Sequence, residues 1–577
     1  MGTSYRKLGY VLFLMLGMIV EEGIAYVRVK EKQSSPSFMG IYDESAVASD
    51  AVPCAEAGQS MLRQKGSAVD AAIATLLCIG VYNPQSSGIG GGSFMVIYDR
   101  STRTPEVIDA REEAPAAATQ KMFKGDKKLS SEGGLSIAVP GELRGMALAH
   151  ERHGKLDWET LFQPAIRLAK EGFPVGSELA MALREQRSHI LNSPTLKAVF
   201  TDPVSGDILK ENDIVIRTKL GETLEKIAKN GADEFYEGQV AKDLINDIKS
   251  FGGIITAEDL KNYQPVLKNA TVAHLSGCLT LYSVPPPSSG YILSFILRVL
   301  DKFHFSKASV SDIENATLTY HRFLETLKYA YAYRTKLGDE RIENVSSVIA
   351  ELTSEDVIEK TKQKIEDGKT YEPLHYGAQL ATNDHGTAHI SVVSREGDAV
   401  VVTTTINYWF GSGLRSPSTG VILNDEMDDF SAPDIQNIYG VPPSKANFIV
   451  PGKRPQSSTC PSIFVNKGGD VVMAIGASGG TRITSSVSLT SMRVLWLGRN
   501  IKEAIDEPRL HHQLLPDEIE YESKFPNEIL EKLKAIGHKT KPAGAFGSLV
   551  VGIKRMKGGT LTANYDYRRG GSVDGSK

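Results

Sequence analysis

The run NDHGTAHISVVSREGDAVVVTTTINYWFGSG, residues 383–413, sets Thr387 directly after Gly386 and gathers Ser391, Thr403, Thr404, Thr405 and Asn407 close behind it. Glycine can adopt backbone angles that bring its carbonyl to the next residue's hydroxyl, so this junction has the arrangement of a self-cleaving N-terminal nucleophile. Cleavage between Gly386 and Thr387 would free an α-amine. With an ordinary pKa of about 7.7–8.0, that amine can act as general base for its own hydroxyl. A threonine so equipped needs no histidine. Threonine is also a good strand former, so the residues alone leave a plain core strand as the alternative.

Two other runs compete for the chemistry. Gly476-Ala477-Ser478-Gly479-Gly480 matches the G-x-S-x-G elbow, between the strand-like DVVMAIG and the helix-compatible TRITSSVSLTSMRVLWLG. A serine α/β-hydrolase built on Ser478 would use Asp506 or Asp517 as acid and His538 as base. The helical first half of the chain does not supply the alternating strands and helices that such a fold places ahead of its serine. GIGGGS, from Gly88 to Ser93, has the glycines of a phosphate loop. It leads into the strand-like FMVIYD, which is the wrong context for a dinucleotide fingerprint.

The elements that must position these residues follow from periodicity. Trp158 to Lys170 and His321 to Leu337 carry apolar residues at helical spacing. NPQSSGIGGGSFMVIYD, AVPGELRG and SVPPPSSGY are Gly/Pro-punctuated turns. After about Thr382 the texture changes to strands, in AHISVVS, AVVVTTTIN, SIFVNK and DVVMAIG. The charged stretch 351–381 reads as a linker or mobile loop leading into them.

With 577 residues, 41% hydrophobic and 23% charged, the chain can bury a large core, and a net charge of −4 excludes an overall basic field for nucleic acid. Arg6 and Lys7 precede an apolar run from Leu8 to Val20, and Gly23-Ile24-Ala25 offers a cleavage site, so residues 1–25 read as a secretion signal. The run is shorter than the roughly 20 residues that span a bilayer; a retained signal anchor is the alternative. Sequons at Asn269, Asn315 and Asn344 suit passage through the secretory pathway. The four cysteines, Cys54, Cys78, Cys278 and Cys460, have no metal-like spacing. Cys54 and Cys78 flank a helical segment and could be bridged or free.

Taken in order, DHGTAHISVV, TTTINYWFGSG, NDEMDDF, GVPPSKANFIVPGKRPQSSTCPSI, GASGGT and EPRLHHQLLPD resemble the small-subunit half of the γ-glutamyltransferase family. NPQSSGIGGGSFM, VIDAREEAP, AVPGELRG, GKLDWETLFQPAIRLAKEGFPV, PPPSSGY and YRTKLGD extend the resemblance through the first half. It implies an α+β fold of the N-terminal-nucleophile hydrolase type, a four-layer αββα sandwich. It also implies a precursor cut into a large subunit, 26–386, and a small catalytic subunit, 387–577, which stay together as a heterodimer. Thr387 would attack the γ-carbonyl of glutathione or another γ-glutamyl compound, and water, an amino acid or a dipeptide would resolve the acyl-enzyme. Thr405 would hold the Thr387 hydroxyl. Gly479 and Gly480 would form the oxyanion hole, which makes Ser478 a bystander. Arg111, Ser457 and Ser458 would grip the donor's α-carboxylate, and Asn407, Glu426 and Asp429 its α-ammonium. The resemblance also matches Cys54–Cys78 to a family disulfide and implies no metal or other cofactor.

Two positions depart from the family pattern. Trp409 stands where many animal members have a tyrosine on the acceptor side, which bears on acceptor preference. No cysteine lies between Cys78 and Cys278, so a second disulfide common in animal members is missing. A secreted enzyme is expected, acting on glutathione in an extracellular fluid such as a gland secretion or venom; a type II membrane protein with its catalytic part outside the cell is the alternative. A secreted inactive paralogue that serves as a binding or decoy protein is a further alternative.

Overall fold

Strands covered on both faces are buried along their whole length, as Ala388–Val393, Ala399–Thr405 and Ser462–Val465 are, and two sheets built around such strands form the centre of the molecule. The computed structural model describes residues 35–377, 386–433, 443–544 and 547–577. The segment read as a secretion signal lies outside the described residues, as do residues 378–385. The first strands are β1 (Gly40–Tyr42), β2 (Ser45–Ser49), β3 (Gly92–Asp99), β4 (Thr104–Ala110), β5 (Val266–Asn269), β6 (Thr271–Leu275) and β7 (Leu279–Ser283). After them come β8 (Ala388–Val393), β9 (Ala399–Thr405), β10 (Ser462–Val465), β11 (Val471–Ser478), β12 (Leu549–Arg555), β13 (Leu561–Asn564) and β14 (Ser572–Ser576). One sheet runs β14-β2-β8-β9-β3-β4-β5 and the other β1-β13-β12-β11-β10-β7-β6. Every neighbouring pair in both is antiparallel. Each sheet interleaves strands from before and after residue 386, so a cut there leaves two chains that share both sheets.

Phe94, Val96 and Val401 of the first sheet meet Ile463, Ala474 and Val551 of the second in one buried cluster. On the outer face of the first sheet lie α1 (Cys54–Arg63), α2 (Ala68–Tyr82), α3 (Glu142–His153) and α4 (Trp158–Glu171), packed against Ile390, Val392, Val400 and Val402. Of these, α2 is buried along its whole length, as an apolar helix under other helices must be. The outer face of the second sheet is covered by α5 (Gly290–Asp301), and α6 (Ile313–Arg334), α7 (Ser346–Thr353) and α8 (Glu355–Lys364) pack beyond it. Helix α9 (Arg482–Leu495) shares that face. These are the four layers the resemblance implies.

Cys54, the first residue of α1, is bonded to Cys78 inside α2, with Cα atoms 5.4 Å apart. The described part of stretch 351–381, residues 351–377, is not the loop its charge suggests. It holds the end of α7, all of α8 and a turn at Pro373–Tyr376, because Leu352, Ile358 and Ile365 bury an apolar side under a charged surface and Ser354 caps α8. The sequon residues Asn269, Asn315 and Asn344 are all exposed. No helix among the described residues is long and apolar enough to cross a membrane.

Candidate active site

Pairing of β8 with β9 sets Ala388 opposite Thr404, which brings Thr405 beside the Gly386–Thr387 junction. The Thr405 hydroxyl donates to the Gly386 carbonyl oxygen at 2.5 Å and accepts from the Asn407 backbone N–H at 2.8 Å. In this uncut chain the Thr405 hydroxyl therefore addresses the carbonyl that cleavage would attack. Gly386 has φ +65°, and a Cβ there would lie 2.3 Å from the Asn407 carbonyl oxygen. Only glycine fits. The GIGGGS run works in the same way: a Cβ on Gly91 would meet the Thr405 carbonyl oxygen at 2.0 Å, and one on Gly90 the Ile422 carbonyl oxygen at 2.1 Å. Its glycines permit backbone packing under the site, ahead of the strand β3 that the sequence places after them.

Thr387 and Gly386 line a cavity of about 190 Å³ with Tyr408, Trp409, Gly479 and Arg482. Gly479 (φ +119°) and Gly480 (φ +63°) turn the chain from β11 into α9. The cavity thus lies near the electropositive end of a helix, where a developing oxyanion is favoured. The other parts of the G-x-S-x-G motif have packing roles. A Cβ on Gly476 would strike the His389 ring at 2.2 Å, and the Ser478 hydroxyl is buried with no hydrogen-bond partner. His538 instead bonds His321 at 2.9 Å, Asp506 pairs with Lys502, and Asp517 pairs with Lys539. No serine triad forms around Ser478 among the described residues. His389 bonds Thr403 and Ser391, and burial lowers its pKa to about 3.

A second group of charges surrounds Arg111. Its Nη1 lies 2.5 Å from Glu426 and its Nη2 2.5 Å from Asp429, with all three side chains buried. Arg111 also reaches the carbonyl oxygens of Pro455 and Gln456. The residues assigned by resemblance to opposite charges of the donor thus neutralise each other here. Burial raises the Glu426 carboxyl well above its ordinary value against the opposing pull of Arg111, and it raises Glu112 to about 7. Asn407 donates to the Asp425 carbonyl oxygen at 3.1 Å. Ser457 and Ser458 are buried on the segment that Arg111 contacts, with Ser457 sharing a hydrogen bond with Thr459.

His321, Glu325 and His538 could hold a metal, since their ligand atoms lie within 4.8 Å of one another. The Lys328 ammonium already lies beside two of them, 3.2 Å from Glu325 and 3.5 Å from His538. The donor set suits an ammonium more than a metal.

Residues 54–576 match the family model described as gamma-glutamyltranspeptidase. The chain belongs to the gamma-glutamyltranspeptidase family. Glutathione hydrolase 5 proenzyme of Mus musculus is 38% identical over 569 residues, covering 97% of each chain. Scoloptoxin SSD20 of Scolopendra dehaani is 98% identical over 191 residues, 33% of this chain and 97% of that protein. Among solved structures, cephalosporin acylase from Bacillus halodurans has a TM-score of 0.81 at 22% identity, covering 95% of this chain and 99% of that one. That likeness concerns the fold.

For a gamma-glutamyltranspeptidase chain, several side chains in and near the site carry no signal in sequence. Arg569, whose guanidinium lies 5.4 Å over the Trp409 ring and 3.5 Å from Glu178, lines the Thr387 cavity. Glu142 accepts from the Thr404 hydroxyl at 2.9 Å, and burial raises it to about 8. Arg334 donates to Ser458 Oγ at 2.8 Å. It falls inside YRTKLGD, a run whose composition gives it no role.

Proposed function

We propose that this chain is an autoprocessed γ-glutamyltransferase and glutathione hydrolase with Thr387 as its nucleophile. The observation that carries the proposal is the Thr405 hydroxyl on the Gly386 carbonyl oxygen, at a glycine that tolerates no side chain, on the wall of a cavity. In processing, Thr387 Oγ attacks the Gly386 carbonyl carbon while the peptide nitrogen takes a proton and leaves. Water then hydrolyses the resulting ester to a Gly386 carboxylate and the Thr387 hydroxyl, beside the amine already freed. In turnover that amine takes the hydroxyl proton, Oγ attacks the γ-carbonyl of the donor, and the leaving amine departs with the proton. Gly479 and Gly480 N–H groups meet the oxyanion. Arg111, Ser457 and Ser458 take the α-carboxylate, and Asn407, Glu426 and Asp429 take the α-ammonium.

The names of the relatives support the substrate: the mouse relative is a glutathione hydrolase and a proenzyme. The scoloptoxin relative matches only a third of this chain, over 97% of its own length, which supports a separate small chain; we assign a large chain 26–386 and a small chain 387–577. That relative is a toxin by name, which supports release into a secreted fluid. Amino acids and dipeptides are the acceptors in this proposal, and the two subunits remain a heterodimer. Release of a chromophore from a γ-glutamyl anilide, lost in Thr387→Ala and kept in Ser478→Ala, tests it; a decoy would cut itself and release nothing.

A further inference from the structure

Arg334 ends α6 with its side chain 1% exposed. Its Nη2 donates to Ser458 Oγ at 2.8 Å, while Nε and Nη1 have no hydrogen-bond partner. Among the described residues no carboxylate lies within ion-pair distance of it. A buried cation in that condition is costly unless something else supplies the counter-charge. The C-terminal end of α6 offers a partial negative charge, not a full one.

Arg111 presents the opposite case. It bears two carboxylates, Glu426 and Asp429, at 2.5 Å each. The two arginines bracket one segment: Arg111 Nη2 donates to the Gln456 carbonyl oxygen at 3.2 Å, and the Gln456 side chain donates to the Arg334 carbonyl oxygen at 2.5 Å. Two residues after Gln456 comes Ser458, the hydroxyl to which Arg334 donates. An anion arriving at Ser457 and Ser458 therefore meets one guanidinium that is already neutralised and one that is not.

We propose that Arg334 is a positioning residue for the α-carboxylate of the donor. It supplies the uncompensated positive charge that this anion meets, and it orients the Ser458 hydroxyl by donating to its oxygen. The proposal rests on the γ-glutamyl reading of the site and assigns the recognition charge within it. Lysine could supply the charge but not the fork that reaches Ser458 while leaving two more nitrogens in place.

Two anilide donors separate these roles: γ-glutamyl anilide, and 4-aminobutyryl anilide, which is the same donor without its α-carboxylate. The wild type should prefer the first strongly. Arg334→Gln should raise KM for γ-glutamyl anilide roughly 10- to 100-fold, the range set by a lost charge-assisted hydrogen bond, and shrink the preference between the donors by a similar factor. Arg334→Lys should restore part of the preference. L-glutamate should raise the unfolding temperature of the wild type more than that of Arg334→Gln. An unchanged preference ratio in Arg334→Gln, or a fall in kcat for both donors alike, would overturn the proposal and leave Arg334 a packing residue. If the glutamine variant does not fold, the lysine variant decides, with an intermediate ratio expected and a wild-type ratio contrary. A wild type that releases chromophore from neither donor would overturn the γ-glutamyl reading itself, and this proposal with it.

Discussion

Arg111 lies 2.5 Å from the Asp429 carboxylate, with cation and anion both shut away from water and Glu426 at the same distance on the other side. Removing the guanidinium would strand two buried carboxylates. Arg111→Met should cost about 3–5 kcal/mol of stability in urea unfolding. Arg111→Lys keeps the charge but loses the fork. It should leave processing intact and raise KM for a γ-glutamyl donor about tenfold or more.

The Thr405 hydroxyl donates to the oxygen of the Gly386 carbonyl, whose carbon the proposed processing step attacks. Thr405→Ala should slow cleavage about 100-fold, the size typical of losing one oxyanion donor, whereas Thr405→Ser should cleave normally. Gly386→Ala should not cleave at all, because its Cβ would sit 2.3 Å from the Asn407 carbonyl oxygen at a positive φ. A gel time course of the uncut precursor distinguishes the three.

Buried Glu142 should make the protein lose stability as pH rises from about 4.5 to about 8. Burial raises its carboxyl from 4.5 to about 8, so the folded state holds a proton that the unfolded state releases. Its stabilising contribution is complete below about pH 4.5 and is lost as pH rises through about 8, a loss of roughly 3–5 kcal/mol. Glu142→Gln removes this term, so its unfolding temperature should gain on the wild type between about pH 5 and pH 9. On the acid side, burial lowers His511 from 6.5 to about 4. Stability from that neutral ring is complete above pH 6.5 and declines as pH falls toward 4. The result is a stability maximum on the mildly acidic to neutral side.

The disulfide closes a loop of sequence separation 24 between α1 and α2. Cys54→Ser with Cys78→Ser should cost about 2–4 kcal/mol in denaturant unfolding. In the native wild type, a thiol reagent should modify Cys278 first, because it is exposed while Cys460 is buried.

The fold was legible where the pattern was local. Helix α4 spans Trp158–Glu171, one residue beyond the apolar spacing at Trp158 to Lys170, and the four strand runs after residue 382 became β8 to β11. The stretch 351–377 hides its helices in sequence because its inward apolar side chains, Leu352, Ile358, Ile365 and Tyr376, are too few to outweigh its charges. Arg111 and Glu426 are far apart in the chain, and no periodicity joins them; the resemblance named both but placed them on opposite charges of the donor. Arg334 escaped for a related reason. Its importance lies in what it fails to touch, which only packing reveals.

The central claim is that Gly386 and Thr387 are parted to make the nucleophile, and intact-mass analysis with N-terminal sequencing of the mature protein addresses it most directly. Two chains are expected, the smaller beginning at Thr387; a single uncut chain with full activity on a γ-glutamyl anilide would contradict the account.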